Sequence, residues 1–238
     1  MKAILDRKRT FLEQTEWKDN LCQNGSLPAD PLESLIDILC NFPGLLEDAE
    51  DAQLLSTSTK GDSSKSWVNL LTKCSQDLSR LAEWRSNWES RFGQCWCELD
   101  SSQFPNLPAD AQGLPFQTVF YFSDIWRAYE FSIHNALRIL LLRLYSRATV
   151  YAHSTEHGCQ WTFHTSVQSG SLVINLAIEI CRCINYFFVP EHRYLGALLF
   201  CLFPGQIALL PLDRDSELGR WLVGILKQGP KWPQQFII

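Results

Sequence analysis

The sequence predicts an all-α protein, an irregular multi-helix bundle with its helices stacked around two apolar C-terminal helices. Three observations lead there. Apolar residues after Ser66 fall at Trp67, Leu70, Leu71, Cys74, Leu78, Leu81, Trp84, Trp88 and Phe92, the three-four spacing of one helix face. Two later segments, residues 137–144 and 172–184, are too apolar to leave a broad face in water. No run alternates apolar and polar residues long enough for a half-buried sheet.

The elements follow in order. Asp30 before Pro31 is a good N-cap followed by proline at the first helical position, with Leu32, Leu35, Ile36 and Leu39 on one side. Pro43 is expected to end that helix, and residues 44–55 to form a second short one. Between Lys18 and Lys60 every charge is acidic, Asp30, Glu33, Asp37, Glu47, Asp48, Glu50 and Asp51 among them. Residues 56–66 are small and polar, a loop by composition. A long helix then runs to Gly93, with Ser64 and Ser66 near its start.

Pro105, Pro108, Gly113 and Pro115 punctuate a connection over residues 100–117, which separates an N-terminal helical half, 1–99, from a C-terminal half, 118–238. The two halves read as one continuous domain. Residues 118–150 are expected to be the longest helix, 153–170 a loop, and 172–189 a second apolar helix broken by Pro190. Residues 194–212 carry no charge and approach the length of a membrane span. Pro204, Gly205, Gln206 and Pro211 interrupt them, so a buried helix ending at Pro204 is the preferred reading, with no membrane contact. Asp215 or Ser216, with Glu217, is placed to cap a last helix.

Composition narrows the function. A chain of 238 residues with 46% hydrophobic and 20% charged residues has a globular balance. Its net charge of −5 argues against a protein that grips phosphate backbones. Nine irregularly spaced cysteines argue against a secreted disulfide framework, so the sequon at Asn24 is expected to go unmodified.

Several clusters invite a chemical reading. His153, His157, Cys159 and His164 are ligand types for zinc or copper, but their spacing fits no familiar site and a solvated loop is preferred. Cys95 and Cys97 flank Trp96 in a post-helix turn, with no charged partner to activate a thiol. Cys181 and Cys183 point about 200° apart on a helix, which suits a core hydrophobe at Cys181 better than chelation. Glu47-Asp48-Ala49-Glu50-Asp51 faintly resembles a magnesium motif of helical isoprenoid enzymes, without its second half, and reads as a solvated face. Glu130 and His134 sit four apart on one helix, where a structural hydrogen bond is preferred to general-base catalysis. Hydrolase, zincin, P-loop and dinucleotide signatures do not occur. No catalytic residue, metal ligand or cofactor is assigned.

The order of several segments resembles the regulatory region of fungal zinc-cluster transcription factors. They are Phe11-Leu12-Glu13-Gln14-Thr15-Glu16-Trp17 and Leu35-Ile36-Asp37-Ile38-Leu39-Cys40-Asn41-Phe42-Pro43-Gly44-Leu45-Leu46. Trp126-Arg127-Ala128-Tyr129 then leads into Asn135-Ala136-Leu137-Arg138-Ile139-Leu140-Leu141-Leu142. Ala177-Ile178-Glu179-Ile180-Cys181-Arg182 with Tyr186 follows, and Pro211-Leu212 with Trp221-Leu222 closes the series. The match spans about residues 11–226. The family's six-cysteine zinc cluster is missing, for no pair here has C-x2-C spacing. The basic tract Arg7-Lys8-Arg9 is too short for a DNA-reading arm.

The resemblance implies a nuclear regulatory module, with the cytoplasm as the alternative. It would act by contact with protein partners such as the transcriptional machinery or a related regulator, with no DNA binding of its own. A small-molecule effector is compatible, and the oligomeric state is left open. The alternatives are a small helical enzyme or ligand-binding protein with a pocket between the C-terminal helices, or a truncated remnant of a longer regulator.

Overall fold

A computed structural model describes residues 2–14, 30–57, 63–103, 115–154, 162–189 and 197–227. Most of these are helical. The order is α1 (Lys2–Asp6), a 3-10 turn (Phe11–Glu13), α2 (Pro31–Thr57), α3 (Ser63–Phe92), β1 (Trp96–Asp100), a 3-10 turn (Ser101–Gln103), β2 (Thr118–Phe122), α4 (Ile125–Ser154), α5 (Thr162–Ile184), a 3-10 turn (Asn185–Phe188), α6 (Ala197–Ala208) and α7 (Glu217–Lys227). A two-stranded antiparallel sheet interrupts the helices.

The described chain forms two compact units, neither of them contiguous. The first comprises Met1–Ser86 and Leu140–Ser169, the second Asn87–Ile139 and Gly170–Ile238. They do not follow the halves 1–99 and 118–238, because α3 and α4 each contribute to both units.

Local signals explain the helix ends in the first unit. The Asp30 side chain accepts the Leu32 amide at 3.0 Å, as an N-cap in front of Pro31 should. Helix α2 then continues straight through Pro43, so the expected break and separate short helix do not exist. The reason lies in packing. Leu35, Ile38, Phe42, Leu45, Ala49 and Ala52 are buried at uninterrupted three-four spacing across the proline. Burying such a stripe outweighs the roughly 3 kcal/mol that an internal proline costs a helix.

Helix α3 behaves as its spacing predicts. Trp67, Leu70, Cys74, Leu81 and Trp84 are buried in the first unit, and Trp88 in the second. Trp67 stacks on Tyr151 of α4 at 4.7 Å and donates its indole N–H to Ser56 at 3.1 Å. Trp84 donates to the Pro31 carbonyl at 2.8 Å. One polar residue shares the stripe: Asp77 is buried and held by Arg80 at 3.1 Å, and Arg80 also reaches Asp37. Gly93 ends α3 with φ of +58°, a left-handed conformation in which glycine avoids the Cβ penalty.

The second unit holds the main departure from an all-α fold. Residues 118–122, expected as the first turns of a helix, form β2 instead and pair with β1 in the register Trp96↔Phe122 to Asp100↔Thr118. Thr-Val-Phe-Tyr-Phe is β-branched and aromatic throughout, which suits a pleated surface. Helix α4 starts only at Ile125, where Asp124 accepts the amides of Trp126 and Arg127 at 3.0 Å each. An aromatic cluster joins the hairpin to α4, with Phe131 lying 5.6–6.0 Å from Trp96, Phe120 and Phe122.

Two further boundaries move, the second for the same reason as in α2. Helix α5 begins at Thr162, inside the stretch expected as a loop, and ends in a 3-10 turn over Asn185–Phe188. Helix α6 runs through Pro204 to Ala208, past its expected end. Cys201, Leu202, Phe203, Ile207 and Ala208 are buried on both sides of that proline. The cap expected at Ser216 is present, its hydroxyl accepting the Gly219 amide at 3.1 Å. Gly170–Phe188 is long and apolar enough to cross a membrane by length and composition, yet 56% of it is buried inside the protein.

Candidate functional site

The most distinctive chemistry lies inside the second unit. Along α4, Glu130, Ser132, His134 and Asn135 are all buried, among apolar neighbours Phe131 and Ile133. Buried polar groups are stable only when partnered. Glu130 accepts the Trp88 indole N–H and an Arg127 guanidinium N–H, each at 2.6 Å. Arg127 also lies 3.9 Å over the Phe92 ring, so its charge is held between a carboxylate and a π face.

His134 Nδ1 lies 3.1 Å from Asn135 Oδ1, and Asn135 donates to Glu179 of α5 at 2.8 Å. The Ser132 hydroxyl bonds back to the Ala128 carbonyl at 2.8 Å. Of the candidate pair Glu130 and His134, both are thus held in structural hydrogen bonds. The sequence pointed to these two through their i, i+4 spacing. Trp88, Asn135 and Glu179 were missed as members, because burial of a polar group leaves no local mark in the sequence.

Asn185 has both side-chain polar atoms unpartnered while the residue is 1% exposed. Nothing nearby in the sequence singled it out. Arg182 of α5 clamps the hairpin from outside this set. It bonds the Thr118 carbonyl at 3.0 Å, pairs with Glu98 at 2.8 Å and lies 4.0 Å over Phe120.

The thiol candidates separate by burial. Cys181 and Cys183 are both buried, and desolvation pushes both thiols well up from their ordinary value. Burial likewise pushes Cys74 and Cys201 up to about 12. Cys95 is buried just before β1 and Cys97 is exposed on it, so the second cysteine lies in a strand and not in the expected turn. Of the metal-type cluster, His157 and Cys159, and the side chains of His153 and His164, lie outside the described residues. Among the described residues no three His, Cys, Asp or Glu side chains are placed to hold a metal ion.

The acidic run in the first unit is partly solvated, as expected, but most of its carboxylates are also paired. Arg9 pairs with Glu13 at 2.8 Å, with Glu47 at 3.1 Å and with Asp48. Arg7 pairs with Glu50 at 3.0 Å and Lys73 with Asp48 at 2.7 Å. Partial burial alone would lower the Arg9 pKa, but Asp48, Glu13 and Glu47 outweigh it and hold the guanidinium charged. The basic tract and the acidic run, separate features in the sequence, are two sides of one contact.

On the surface of the second unit, Trp126 and Leu199 are half or more exposed, and Phe200 packs against Trp126 and Tyr129 at 5.4 and 4.8 Å. Comparisons of the chain with family models, with curated proteins and with solved structures return no match.

Proposed function

We propose that the chain is a helical regulatory module that acts by protein–protein contact, akin to the effector region of fungal zinc-cluster transcription factors without their DNA-reading head. One observation carries this reading. Segments that bear the resemblance meet in the second unit, where Asn135 of α4 bonds Glu179 of α5 and Ser132 of α4 neighbours Cys183. The two apolar C-terminal helices would then be the centre of the stack. The module would work in the nucleus, with the cytoplasm as the alternative, and its partner would be the transcriptional machinery or a related regulator. The exposed Trp126 and Leu199 are the side chains through which contact is best tested.

The test is a tethering assay. The chain is fused to an unrelated sequence-specific DNA-binding domain and its effect on a reporter is measured. A change in transcription, lost in Trp126→Ala with Leu199→Ser while the far-ultraviolet circular dichroism is kept, supports the reading. A soluble, nuclear fusion that leaves the reporter unchanged overturns it.

Asn185 favours a second reading, that of a ligand-binding module. A buried amide with no partner costs about 1–3 kcal/mol, which an enclosed polar ligand or water would relieve. A thermal-shift screen of small polar metabolites tests this. A hit that vanishes in Asn185→Leu supports an effector site there, and hits that survive the substitution refute it.

A further inference from the structure

We propose that Thr10 is a phosphorylation site for a basic-directed protein kinase, and that its phosphate releases the segment 2–14 from the acidic face of α2. The inference is independent of the transcriptional reading, for it rests on the first unit alone.

The sequence supplies the recognition element. Arg7, Lys8 and Arg9 occupy the three positions before Thr10. Kinases that select basic substrates read such side chains with acidic subsites, where guanidinium forks pair with carboxylates. Thr10 is already extended, with φ of −118° and ψ of 158°, the backbone form that a kinase cleft accepts.

The structure supplies the switch. With the segment docked, the same arginines that a kinase would read are engaged by Glu13, Glu47, Asp48 and Glu50. The Thr10 hydroxyl oxygen is buried and makes no hydrogen bond. The docked state therefore hides the acceptor and ties up the two arginines in ion pairs, although their side chains stay partly exposed. Gly44 sets the fit: a Cβ there would lie 2.5 Å from Glu13 Oε2 and 2.8 Å from Arg9 Nη1, so the ion pair rests directly on the helix.

Among the described residues, the Phe11–Glu13 turn buries no side chain, and Ile4 is a buried apolar residue of α1. The ion pairs are formed by partly exposed groups, which makes each one weak and screened by salt. Arg7 adds strain, since it closes α1 with φ of +48°. Local opening is therefore cheap, and the open segment is the kinase substrate.

In the transfer, Thr10 Oγ bonds to the γ-phosphorus of ATP and the bond from that phosphorus to the β,γ-bridging oxygen breaks. The bonding pair leaves with ADP, and the hydroxyl proton passes to the catalytic base of the kinase. The product carries about −1.5 to −2 charges at neutral pH. Placed beside Glu13, Glu47 and Asp48, that charge opposes redocking, and it also competes with them for Arg9 and Arg7. Phosphorylation would thus trap the open segment and bare an acidic helix face.

The experiment treats the full chain with Mg-ATP and the catalytic subunit of cyclic-AMP-dependent protein kinase. Mass spectrometry locates phosphate, and hydrogen exchange follows residues 3–14 and 47–51. One phosphate is expected at Thr10, absent in Thr10→Ala, with amide exchange of both segments severalfold faster afterwards. The double variant Glu47→Gln, Asp48→Asn opens the contact without phosphate. It should be phosphorylated severalfold faster and show no further gain in exchange. The proposal is overturned if neither wild type nor the double variant takes phosphate at Thr10. It is equally overturned if phosphate at Thr10 leaves exchange unchanged, or if the double variant is phosphorylated no faster than wild type.

Discussion

Replacing Glu130 with leucine tests the energetics of the buried polar set most directly. The carboxylate is almost fully enclosed and accepts two short hydrogen bonds, from the Trp88 indole and the Arg127 guanidinium. Leucine removes the acceptor of both bonds at once. The indole N–H is then buried without a partner, at a cost of about 1–3 kcal/mol. Arg127, whose side chain is 16% exposed, loses its principal counter-charge. Breaking a buried ion pair from one side costs about 3–5 kcal/mol in all. That is a large share of the roughly 5–15 kcal/mol that stabilises a folded domain. Both bonds end on Oε2, so a glutamine oxygen in its place still accepts from both donors and only the charge is given up; Glu130→Gln should cost less, about 1–2 kcal/mol.

Urea unfolding followed by far-ultraviolet circular dichroism measures both variants, with an unchanged m-value as the sign of intact native packing. Adding Trp88→Phe to each background completes a double-mutant cycle. The coupling should be about 0.5–3 kcal/mol, because the orphaned indole is what makes the leucine variant poor. A Glu130→Leu protein within about 0.5 kcal/mol of wild type, or a cycle without coupling, refutes the argument that this set is held by charge-assisted bonds.

Leu141→Ala, at a fully buried position of α4, should lower stability by about 2–5 kcal/mol in the same assay, and a loss under 1 kcal/mol would deny it a core role. Gly219→Ala drives a methyl group into the Asp213 carbonyl and should cost about 1–3 kcal/mol, whereas Gly224→Ala on the same helix meets open space and should gain about 0.5–1 kcal/mol. The raised thiol pKa values set an alkaline limit. Above pH 9 the unfolded chain releases thiol protons that the folded chain retains on Cys74 and Cys201 up to about pH 12, so it binds fewer protons and stability falls as pH rises through that window. Urea midpoints across that range check this, and a flat profile refutes it. An electrophoretic mobility assay should find no site-dependent, salt-tolerant DNA binding by this net-acidic chain.

Where a helix depends on one regular stripe, the sequence was a sufficient guide. The Trp67–Trp88 repeat, the Asp30 and Ser216 caps and the Gly93 stop are local features, and each lies where its residues direct. Pro43 and Pro204 misled because their cost is local while the compensation, burial on both sides of the ring, is tertiary. The hairpin was missed for a related reason. Residues 118–122 are apolar enough to join the following helix by composition, and only pairing with β1 selects the strand. The polar set was half legible. Spacing brought Glu130 and His134 to notice, but Trp88 reaches Glu130 from 42 positions away and Asn135 reaches Glu179 across 44. The contact of Arg7 and Arg9 with the acidic face was legible as two charge runs of opposite sign, and was not joined because nothing local fixes which charges meet.

The interleaving of the two units has a consequence for how the protein is made. A ribosome that has finished Ser86 has delivered only part of the first unit, and the remainder arrives with Leu140–Ser169. At about 5–20 residues per second, the wait is on the order of seconds. Throughout it the apolar stripe of α3 lacks Tyr151, the ring that covers Trp67 in the finished protein. The second unit waits in turn for Gly170–Ile238. The first unit is complete only once Ser169 has emerged and the second only at Ile238, so the nascent polypeptide is a natural client for chaperones that shield apolar surface. For the same reason no single cut can separate the units: every contiguous fragment short of nearly the whole chain carries an incomplete copy of at least one of them.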